Sequence, residues 1–421
     1  MPGIRRIAVA SMVGTTLEYF DFAVYNSLAA LIFNRIFFPT FDPLSGTILA
    51  FATFAVGYLA RPLGGVIFGR LGDTRGRRFV LMATLILMGL ATLLMGLLPT
   101  YAAAGIISPI LLVMLRFVQG AALGGEWAGA VLLSLEHGAP DHRGRNASWA
   151  QMGPSVGTLL ATGLIAVISL TVSADAFQSW GWRVPFLVSI VLVGFGLWVR
   201  TGVDETPLFV ALRARHSMSK APIGEVLRKY WRRLLIAGGA RVGPDVQYSL
   251  LIVFTLTYLT TVLQQSRTLA LIVVSIGGAV HALSVPLFGS LSDRYGRRPV
   301  YGCGVLMAIV WAFAYFRLLD SLDSLSIVLA VAGGFLIHAV MYGPQAAFIT
   351  EQFPTRVRYA GSSLAYTLVG IVGGGLAPVM FTTILRAYGT TLEISLYLAA
   401  AFCLSGIALL AARETSRLPL E

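Results

Sequence analysis

Ionisable side chains stand inside stretches of this sequence that are otherwise apolar. The chain of 421 residues is 57% hydrophobic and only 12% charged, yet Glu18, Asp21, Arg116 and Arg241 all lie within long apolar runs. A charged group in hydrocarbon costs several kcal/mol and persists mainly where it is paired or functional. A carboxylate held in this way can exchange a proton, and a guanidinium can hold a carboxylate, so these positions are the first candidates for chemistry.

Two of the apolar runs carry polar residues at helical spacing. Glu18, Asp21 and Tyr25 follow the i, i+3, i+7 pattern and so share one helix face. Arg116 and Gln119 share a face of another run in the same way. These faces are candidates for a proton site and a cavity wall, and a permanent structural ion pair is the alternative.

A third run places Arg241, Asp245 and Tyr248 on one face, with Pro244 between them. Proline removes a backbone hydrogen bond and is expected to kink the helix, which opens space. Arg241 is then a candidate for a bidentate contact to a substrate carboxylate, a geometry that lysine cannot reproduce. The alternative is an i, i+4 salt bridge between Arg241 and Asp245, which leaves no free cation.

Other polar residues in apolar runs are weaker candidates for the same cavity. His338, Tyr342 and Gln345 share a helix face. Trp127 continues the Arg116 face, where it forms a cavity wall or packs. The last two members of the substrate-site prediction are Arg61 and Gln151. Arg61 reaches either the central cavity or the cytoplasmic interface, and Gln151 serves as hinge and packing residue or faces the cavity.

The elements that must position these residues are membrane helices. A mean hydropathy of +0.79 leaves too little polar surface for a soluble protein of this length, and crossing a bilayer takes roughly 20 apolar residues as helix. Twelve stretches qualify, so an all-α membrane protein is predicted. They span 7–32, 47–68, 79–98, 106–135, 146–171, 182–200, 234–262, 269–288, 299–319, 325–349, 360–385 and 391–412.

The 31 Lys and Arg residues fall mainly at the N-terminus, in alternate loops and in the C-terminal tail. Positively charged loops stay in the cytoplasm, so a multi-pass protein with both termini cytoplasmic is expected. Basic loops beside anionic headgroups also account for the net charge of +12 without a nucleic-acid partner.

Metal, disulfide and enzyme chemistry have little support in the sequence. Cys303 and Cys403 lie in predicted spans without His or acidic neighbours at ligand spacing, and we expect them to be packing residues. The stretch HGAPDH at 137–142 contains His and Asp in a loop and keeps a polytopic membrane enzyme as a remote alternative. No cofactor and no metal site are predicted.

One charged ten-residue motif occurs twice in the sequence. GRLGDTRGRR at 69–78 returns as GSLSDRYGRR at 289–298, identical at six of ten positions. A second, weaker repeat pairs EHGAPDHRGR at 136–145 with EQFPTRVRYA at 351–360. Each of these segments follows one copy of the charged motif along the chain. The chain is therefore predicted to be a duplicated unit of two six-helix bundles, 1–200 and 234–412, joined by a cytoplasmic linker with a surface helix at 201–233 and followed by a tail at 413–421.

These phrases match the pattern G-x-L-x-D-x-x-G-R-R, and the chain thereby resembles the major facilitator superfamily. EYFDF at 18–22, RFVQGAALGGEW at 116–127 and DETPLF at 204–209 resemble its metabolite:proton symporters. NRIFFP at 34–39, SPILLVMLR at 108–116, Arg241 and His338 are most similar to the shikimate transporters within that group.

The resemblance implies a fold of twelve transmembrane helices in two bundles and proton-coupled uptake of a small organic anion by alternating access. It implies that Asp21 faces Arg116 and carries the proton, with Glu18 nearby. It also implies that Asp73, Arg77, Asp293 and Arg297 act as a gate. A monomer in the bacterial inner membrane is expected, and uptake of a zwitterion such as betaine or proline is the alternative.

Overall fold

The computed structural model describes residues 2–75, 77–124, 127–136, 140–201 and 222–417, and these residues form helices without any β-strand. The first half contains α1 to α6. Their bounds are Pro2–Leu28 with a π-helical turn at Ala29–Phe33 and a last turn at Asn34–Phe37 (α1), Pro43–Arg75 (α2), Arg77–Leu97 (α3), Ile107–Leu123 with Trp127–Glu136 (α4), Arg143–Thr171 (α5) and Val184–Thr201 (α6).

A short amphipathic helix, Pro222–Lys229, precedes the second half, which contains α7 to α12. Their bounds are Trp231–Ser249 continued by helical turns to Val262 (α7), Arg267–Tyr295 (α8), Arg297–Asp320 (α9), Ser324–Glu351 (α10), Thr355–Val369 with a π-helical segment Gly370–Gly375 and Ala377–Tyr388 (α11), and Leu392–Ala411 (α12).

The lengths fit a membrane. Within the described residues, nine helical segments are long and apolar enough to cross a bilayer, and Met82–Leu97 and Ile107–Leu123 are shorter apolar helices. The π-helical turn of α1 at Ala29–Phe33 has a counterpart in α7 at Leu250–Phe254, which is the same place in the two halves. Local helix defects of this type often accompany functional sites.

Small residues bring α2 and α4 into backbone contact. A Cβ added to Gly120 would lie 2.0 Å from the Gly57 carbonyl oxygen, and one added to Gly64 would lie 1.7 Å from the Ala121 carbonyl oxygen. Helices in lipid gain most of their attraction from such close packing, because burial of apolar surface gives no net driving force there. This contact fixes Arg61 on α2 beside Arg116 and Trp127 on α4.

The two halves meet mainly through α5 against α8 and α2 against α11. Three hydroxyls along one face of α5 contact the second half: Ser155 bonds His281, Thr158 bonds Tyr248, and Thr162 bonds Ser275. On the other side of the molecule, Tyr58 of α2 packs into the space left by Gly374 and Gly375 of α11.

Charged residues join the halves at the end of the bundle that carries the start of α5 and the end of α8. We call Arg143, Asp293, Arg297 and Glu351 the basic-side latch. Asp293 accepts hydrogen bonds from the backbone N–H groups of Gly144 and Arg145 at 2.8 and 2.9 Å. These are first-turn groups of α5, where a carboxylate is favoured by the helix dipole.

Ion pairs complete the basic-side latch. Arg297 lies 2.7 Å from Asp293 and 3.3 Å from Glu351, and Arg143 of the first half lies 3.4 Å from Glu351. The C-terminal tail adds a further contact, because Glu414 accepts from the backbone N–H groups of Arg297 and Arg298. The expected gate residues Asp293 and Arg297 therefore lie in this inter-half contact, whereas the side chains of Asp73 and Arg77 lie outside the described ones.

The opposite end of the bundle also carries a contact between the halves. Arg386, at the end of α11, donates to Ser45 and lies 3.4 Å from Asp42, which precedes α2. Both members of this far-side pair are about half exposed. With contacts between the halves at both ends, the structure is a closed state of the two-bundle fold.

The expectation that both cysteines are packing residues was wrong. Cys303 and Cys403 are free and exposed on α9 and α12. Helix faces of a membrane bundle that point away from its centre meet lipid, so a small apolar thiol is tolerated there.

We predict that Gly120→Ala destabilises the protein, because the added methyl group must displace the α2 backbone. Overpacking of this kind costs about 1 to 3 kcal/mol. The matched control is Gly333→Ala on α10, where an added Cβ meets nothing within 4 Å. Thermal unfolding in detergent measures both variants. An unchanged melting temperature for Gly120→Ala would show that the α2–α4 contact is not tight.

We also predict that Asp293→Ala opens the basic side, because it removes the cap of α5 and a partner of Arg297. The loss of such contacts shifts the equilibrium by about 1 to 2 kcal/mol. Distances between spin labels on the exposed positions His142 and Tyr295 measure the opening. Asp323→Ala is the control, since Asp323 caps α10 within one half. Equal distance distributions in both variants would contradict the prediction.

Candidate substrate and proton sites

A narrow cavity lies between the halves, bounded by α1, α2 and α4 of the first half and α11 of the second. Its walls include Glu18, Tyr19, Arg61, Trp127, Ser363 and Tyr366. Three of these residues, Glu18, Arg61 and Trp127, belong to the set expected from the sequence. The cavity combines a cation, a carboxyl group, hydroxyls and aromatic surface.

Arg61 is the cation of this cavity. Its residue is 3% exposed, and its guanidinium carbon lies 3.8 Å from the ring centre of Tyr58 and 4.7 Å from that of Phe22. Its Nε and Nη2 atoms are buried without a hydrogen-bond partner among the described residues. Buried guanidinium donors normally have partners. Arg61 therefore keeps unused donors beside the cavity that it lines.

Aromatic rings form the wall facing Arg61. Trp127 stacks on Tyr366 of the second half with ring centres 3.9 Å apart and planes at 16°. The hydroxyls of Tyr19 and Tyr366 lie 2.5 Å apart. Gln151 of α5 holds the wall in place, because its Oε1 accepts from the Trp127 indole at 3.0 Å. Gln151 thus orients Trp127 and does not itself line the cavity.

Arg116 lies wholly buried behind this wall. Its guanidinium donates to Gln119 and, at 3.3 Å, to Asn26. The ring centres of Phe22 and Tyr25 lie 3.9 and 4.0 Å from the guanidinium carbon. Cation–π contacts and two amide oxygens therefore stabilise this charge.

Asp21 is joined to Arg116 through two intervening side chains. Asp21 Oδ2 lies 3.0 Å from the hydroxyl of Thr92, and Gln119 donates to the same hydroxyl at 2.8 Å. Gln119 also accepts from Arg116. Asp21 and Arg116, which the family resemblance implies to be close, are thus joined by a chain of hydrogen bonds. The described ion pairs do not include a direct contact between them.

Arg241 is fully engaged in this state. Its Nη2 lies 2.7 Å from Asp245 Oδ2, and its Nη1 donates to the Tyr366 carbonyl oxygen at 2.7 Å. Its guanidinium also lies over the Tyr366 ring. The i, i+4 salt bridge that the sequence left open is therefore formed. A carboxylate substrate can reach these donors only after Asp245 or Tyr366 moves.

Pro244 leaves the Ala240 carbonyl of α7 without its helical partner, and Tyr301 satisfies that carbonyl at 2.8 Å. Gln345 donates to the same Tyr301 hydroxyl at 2.9 Å. Gln345 is thereby turned towards α9. Its predicted substrate contact is absent from this state, in which the amide supports the kink of α7.

Tyr248, His338 and Tyr342 form one aromatic cluster in the second half. The Tyr248 and Tyr342 rings are parallel with centres 6.3 Å apart, and the His338 ring centre lies 5.2 Å from that of Tyr248 and 5.1 Å from that of Tyr342. The cluster is closed off from the cavity at Arg61. These residues therefore share a face, as the spacing predicts, without lining the described cavity.

Tyr19, Tyr58, Thr92 and Tyr366 were not expected from the sequence. Tyr19 stands beside Glu18, and that position was the available signal for it. Thr92 and Tyr366 lie in apolar runs without any charged residue at helical spacing, so only the folded arrangement identifies them. Arg183, which begins the sixth predicted span, donates to the carbonyls of Gly96 and Leu98 at the end of α3 and is structural.

Comparison with known proteins places this geometry in a family. The family model of the Major Facilitator Superfamily matches residues 11–378 and again residues 245–419. The shikimate transporter of Escherichia coli K12 is 38% identical over 98% of this chain and 95% of its own length. The inner membrane metabolite transport protein YhjE of the same organism is 36% identical over 98% of this chain and 94% of its own.

More distant relatives transport other compounds. The proline/betaine transporter of E. coli K12 is 32% identical over 99% of this chain and 85% of its own length. Among solved structures, a partially occluded inward-open conformation of the E. coli xylose transporter XylE aligns with a TM-score of 0.75 at 18% identity over the full length of both chains. That likeness supports the fold alone.

The family match covers most of the chain, and the relatives are transporters, which removes the membrane-enzyme alternative. This chain belongs to the major facilitator superfamily and is a multi-pass membrane transporter of small molecules.

Proposed function

We propose that this protein takes up a small organic carboxylate together with a proton across the inner membrane of a bacterium, as a monomer with both termini in the cytoplasm. The substrate lies in the cavity between the halves, with its carboxylate on Arg61. The single observation that carries this proposal is the pair of unpartnered guanidinium donors of Arg61 at the cavity wall.

Arg61 is better placed than the other buried arginines to bind an anion. Arg241 is neutralised by Asp245, and Arg116 is shielded by Phe22 and Tyr25. A guanidinium that keeps two buried donors unused gains charge-assisted hydrogen bonds when a carboxylate enters. A neutral ligand would leave the charge uncompensated, so the site favours an anion over a sugar of the same size.

Asp21 is the proposed proton carrier. The Thr92 hydroxyl has one proton, yet it lies 3.0 Å from two acceptors, Asp21 Oδ2 and the Met88 carbonyl oxygen. A proton on Asp21 satisfies all three groups, because the carboxyl then donates to Thr92 while Thr92 donates to Met88. The hydrogen-bond pattern of this closed state thus fits a protonated Asp21. Arg116, two side chains away, favours release of that proton when water enters.

The substrate body rests on the wall formed by Trp127, Tyr366 and Tyr19. A flat ring or a compact hydroxylated ring packs on the Trp127 indole, and the Tyr19 and Ser363 hydroxyls can bond its hydroxyl groups. The shikimate transporter among the relatives is in keeping with this substrate class. We therefore infer a hydroxylated or aromatic monocarboxylate of the shikimate type, with dicarboxylates next.

A zwitterion such as betaine or proline is the second candidate. The observation that favours it is the stacked pair Trp127–Tyr366 in a cavity that Glu18 also lines, since aromatic faces and a carboxyl group attract a quaternary or secondary ammonium. The proline/betaine relatives are in keeping with it. Its carboxylate would still bind Arg61. Thermal-shift screening of shikimate, protocatechuate, 2-oxoglutarate, citrate, betaine and proline distinguishes an anionic from a zwitterionic substrate.

Transport requires the two ends of the bundle to open in turn. The basic-side latch closes one end and the Asp42–Arg386 pair closes the other, and both are ionic contacts across the halves. The half-exposed Asp42–Arg386 pair breaks at modest cost. The basic-side latch is buried, so it opens only if water reaches its charged groups as the halves separate. The residues Asp293 and Arg297 gate the basic side under this proposal.

We predict that Arg61→Lys raises the substrate Kd by about tenfold or more, because the charge remains but the bidentate geometry is lost, at about 1.4 kcal/mol. Binding of shikimate to purified protein measures the effect, with Arg61→Ala expected to bind more weakly still. Arg317→Lys, at an exposed site on α9, is the control. Wild-type affinity in both Arg61 variants would assign the carboxylate to Arg241 instead.

We predict that Asp21→Asn abolishes accumulation driven by an imposed pH gradient and leaves counterflow intact, because exchange needs no net proton movement. Uptake by proteoliposomes measures both activities. Asp175→Asn, at an exposed site beyond α5, should retain both and serves as the control. Full accumulation by Asp21→Asn would exclude Asp21 as the proton carrier.

A further inference from the structure

A buried pair of histidines takes no part in the proposed substrate and proton sites. His281 of α8 and His338 of α10 are 0% and 1% exposed, and His281 Nε2 lies 2.7 Å from His338 Nδ1. The other nitrogen of His281, Nδ1, lies 2.5 Å from the Ser155 hydroxyl of α5. Because Ser155 belongs to the first half, this hydrogen-bonded chain crosses from one half to the other.

The internal repeat gives His281 a counterpart. When GRLGDTRGRR at 69–78 is aligned with GSLSDRYGRR at 289–298, His281 falls at the position of Arg61. When the weaker repeat is aligned, 136–145 with 351–360, Ser155 corresponds to Gly370. The contacts correspond as well, since Arg61 Nη1 would lie 3.9 Å from a Cβ added to Gly370. The same position thus holds a permanent cation in one half and a titratable imidazole in the other.

Among the described residues, those in contact with the pair include no anion. From α5 it meets the hydroxyls of Ser155 and, through Tyr248, of Thr158. Aromatic rings of Tyr248 on α7 and of Phe335 and Tyr342 on α10 cover it. On α7, the Pro244 carbonyl oxygen accepts a hydrogen bond from His338, and the cation Arg241 is paired with Asp245. A proton added to the pair in the closed state would therefore be buried without a counter-ion in contact with it.

We propose that the His281–His338 pair is a second proton-binding site, which takes up a proton when the halves separate and returns it to water when they close. When Ser155 moves away, His281 Nδ1 loses its hydroxyl partner and becomes accessible to water, and a proton from water forms an N–H bond there. Closure reverses both changes. Acid therefore favours the separated states, independently of substrate and of Asp21.

The experiment measures closure against pH without substrate. Spin labels replace His142 and Tyr295 on the basic side and, in a second preparation, Thr171 and Gln264 on the far side, after Cys303→Ala and Cys403→Ala. Between about pH 8 and pH 5, the range in which imidazoles titrate, we expect the separated fraction on one side or the other to rise roughly threefold or more. His281→Asn and His338→Gln should each remove this rise, whereas Asp175→Asn, at an exposed site beyond α5, should keep it.

Two carboxylates near the closures stay ionised over this range. The Ser45 hydroxyl and backbone N–H lower the pKa of Asp42. Burial raises the pKa of Glu414, but hydrogen bonds from the backbone of Arg298, Arg297 and Ser416 outweigh it and leave the pKa low. A carboxyl with a lowered pKa in the folded state loses its contacts only when the pH falls through that value. Neither group should therefore contribute a rise between the two pH values.

Ser155→Ala provides a test that leaves both imidazoles in place. It removes the hydrogen bond between the halves, so the separated fraction at pH 8 should increase while the response to acid remains. The proposal is overturned if the wild type shows no response to pH, if the response persists in both histidine variants, or if Ser155→Ala leaves the separated fraction unchanged. None of these measurements depends on the substrate, so the proposed uptake at Arg61 stands or falls separately.

Discussion

A charge held inside the hydrocarbon must be met by other groups of the protein, and the arrangement of this transporter follows from that constraint. Arg116 meets it with amide oxygens and aromatic faces, and Arg241 meets it with Asp245 and a backbone carbonyl. Among the described residues, Arg61 is stabilised by the rings of Tyr58 and Phe22 and keeps two donors unused. The three buried arginines thus differ in how many of their donors have partners, and this difference favours Arg61 as the site for an anion.

Close helix contacts keep these charges in place. The Gly57, Gly64 and Gly120 backbones bring α2 against α4, so Arg61 and Arg116 are held on neighbouring helices of one rigid half. The halves themselves are joined by polar contacts, namely the hydroxyls of α5, the basic-side latch and the Asp42–Arg386 pair. Apolar packing within a half and breakable polar contacts between halves are the physical requirements for two bundles that move as units.

The duplication makes the two halves similar without making them equivalent. The position of Arg61 is occupied by His281 in the second half. When 136–145 is aligned with 351–360, Trp127 corresponds to Tyr342. The first half thus supplies the permanent cation and the larger ring of the cavity wall, while the second supplies a closed cluster of His and Tyr. An asymmetric ligand fits such a cavity in one orientation, with its anionic group towards the first half.

The sequence alone determined the membrane class, the helical segments, the duplication and the family, because hydropathy, basic loops and a repeated motif are local properties of the chain. It also identified Glu18, Asp21, Arg116 and Arg241 as buried ionisable groups, since charge in an apolar run is visible without a structure, and it left Arg61 open. Only the tertiary structure decided that Arg61 keeps two donors unused, against one in Arg116. A guanidinium on one helix finds its partners on other helices, as Arg241 does at Tyr366, and spacing along one helix cannot reveal them. The links through Thr92 and Ser155 arose in the same way, from uncharged side chains that gain a role only through their neighbours.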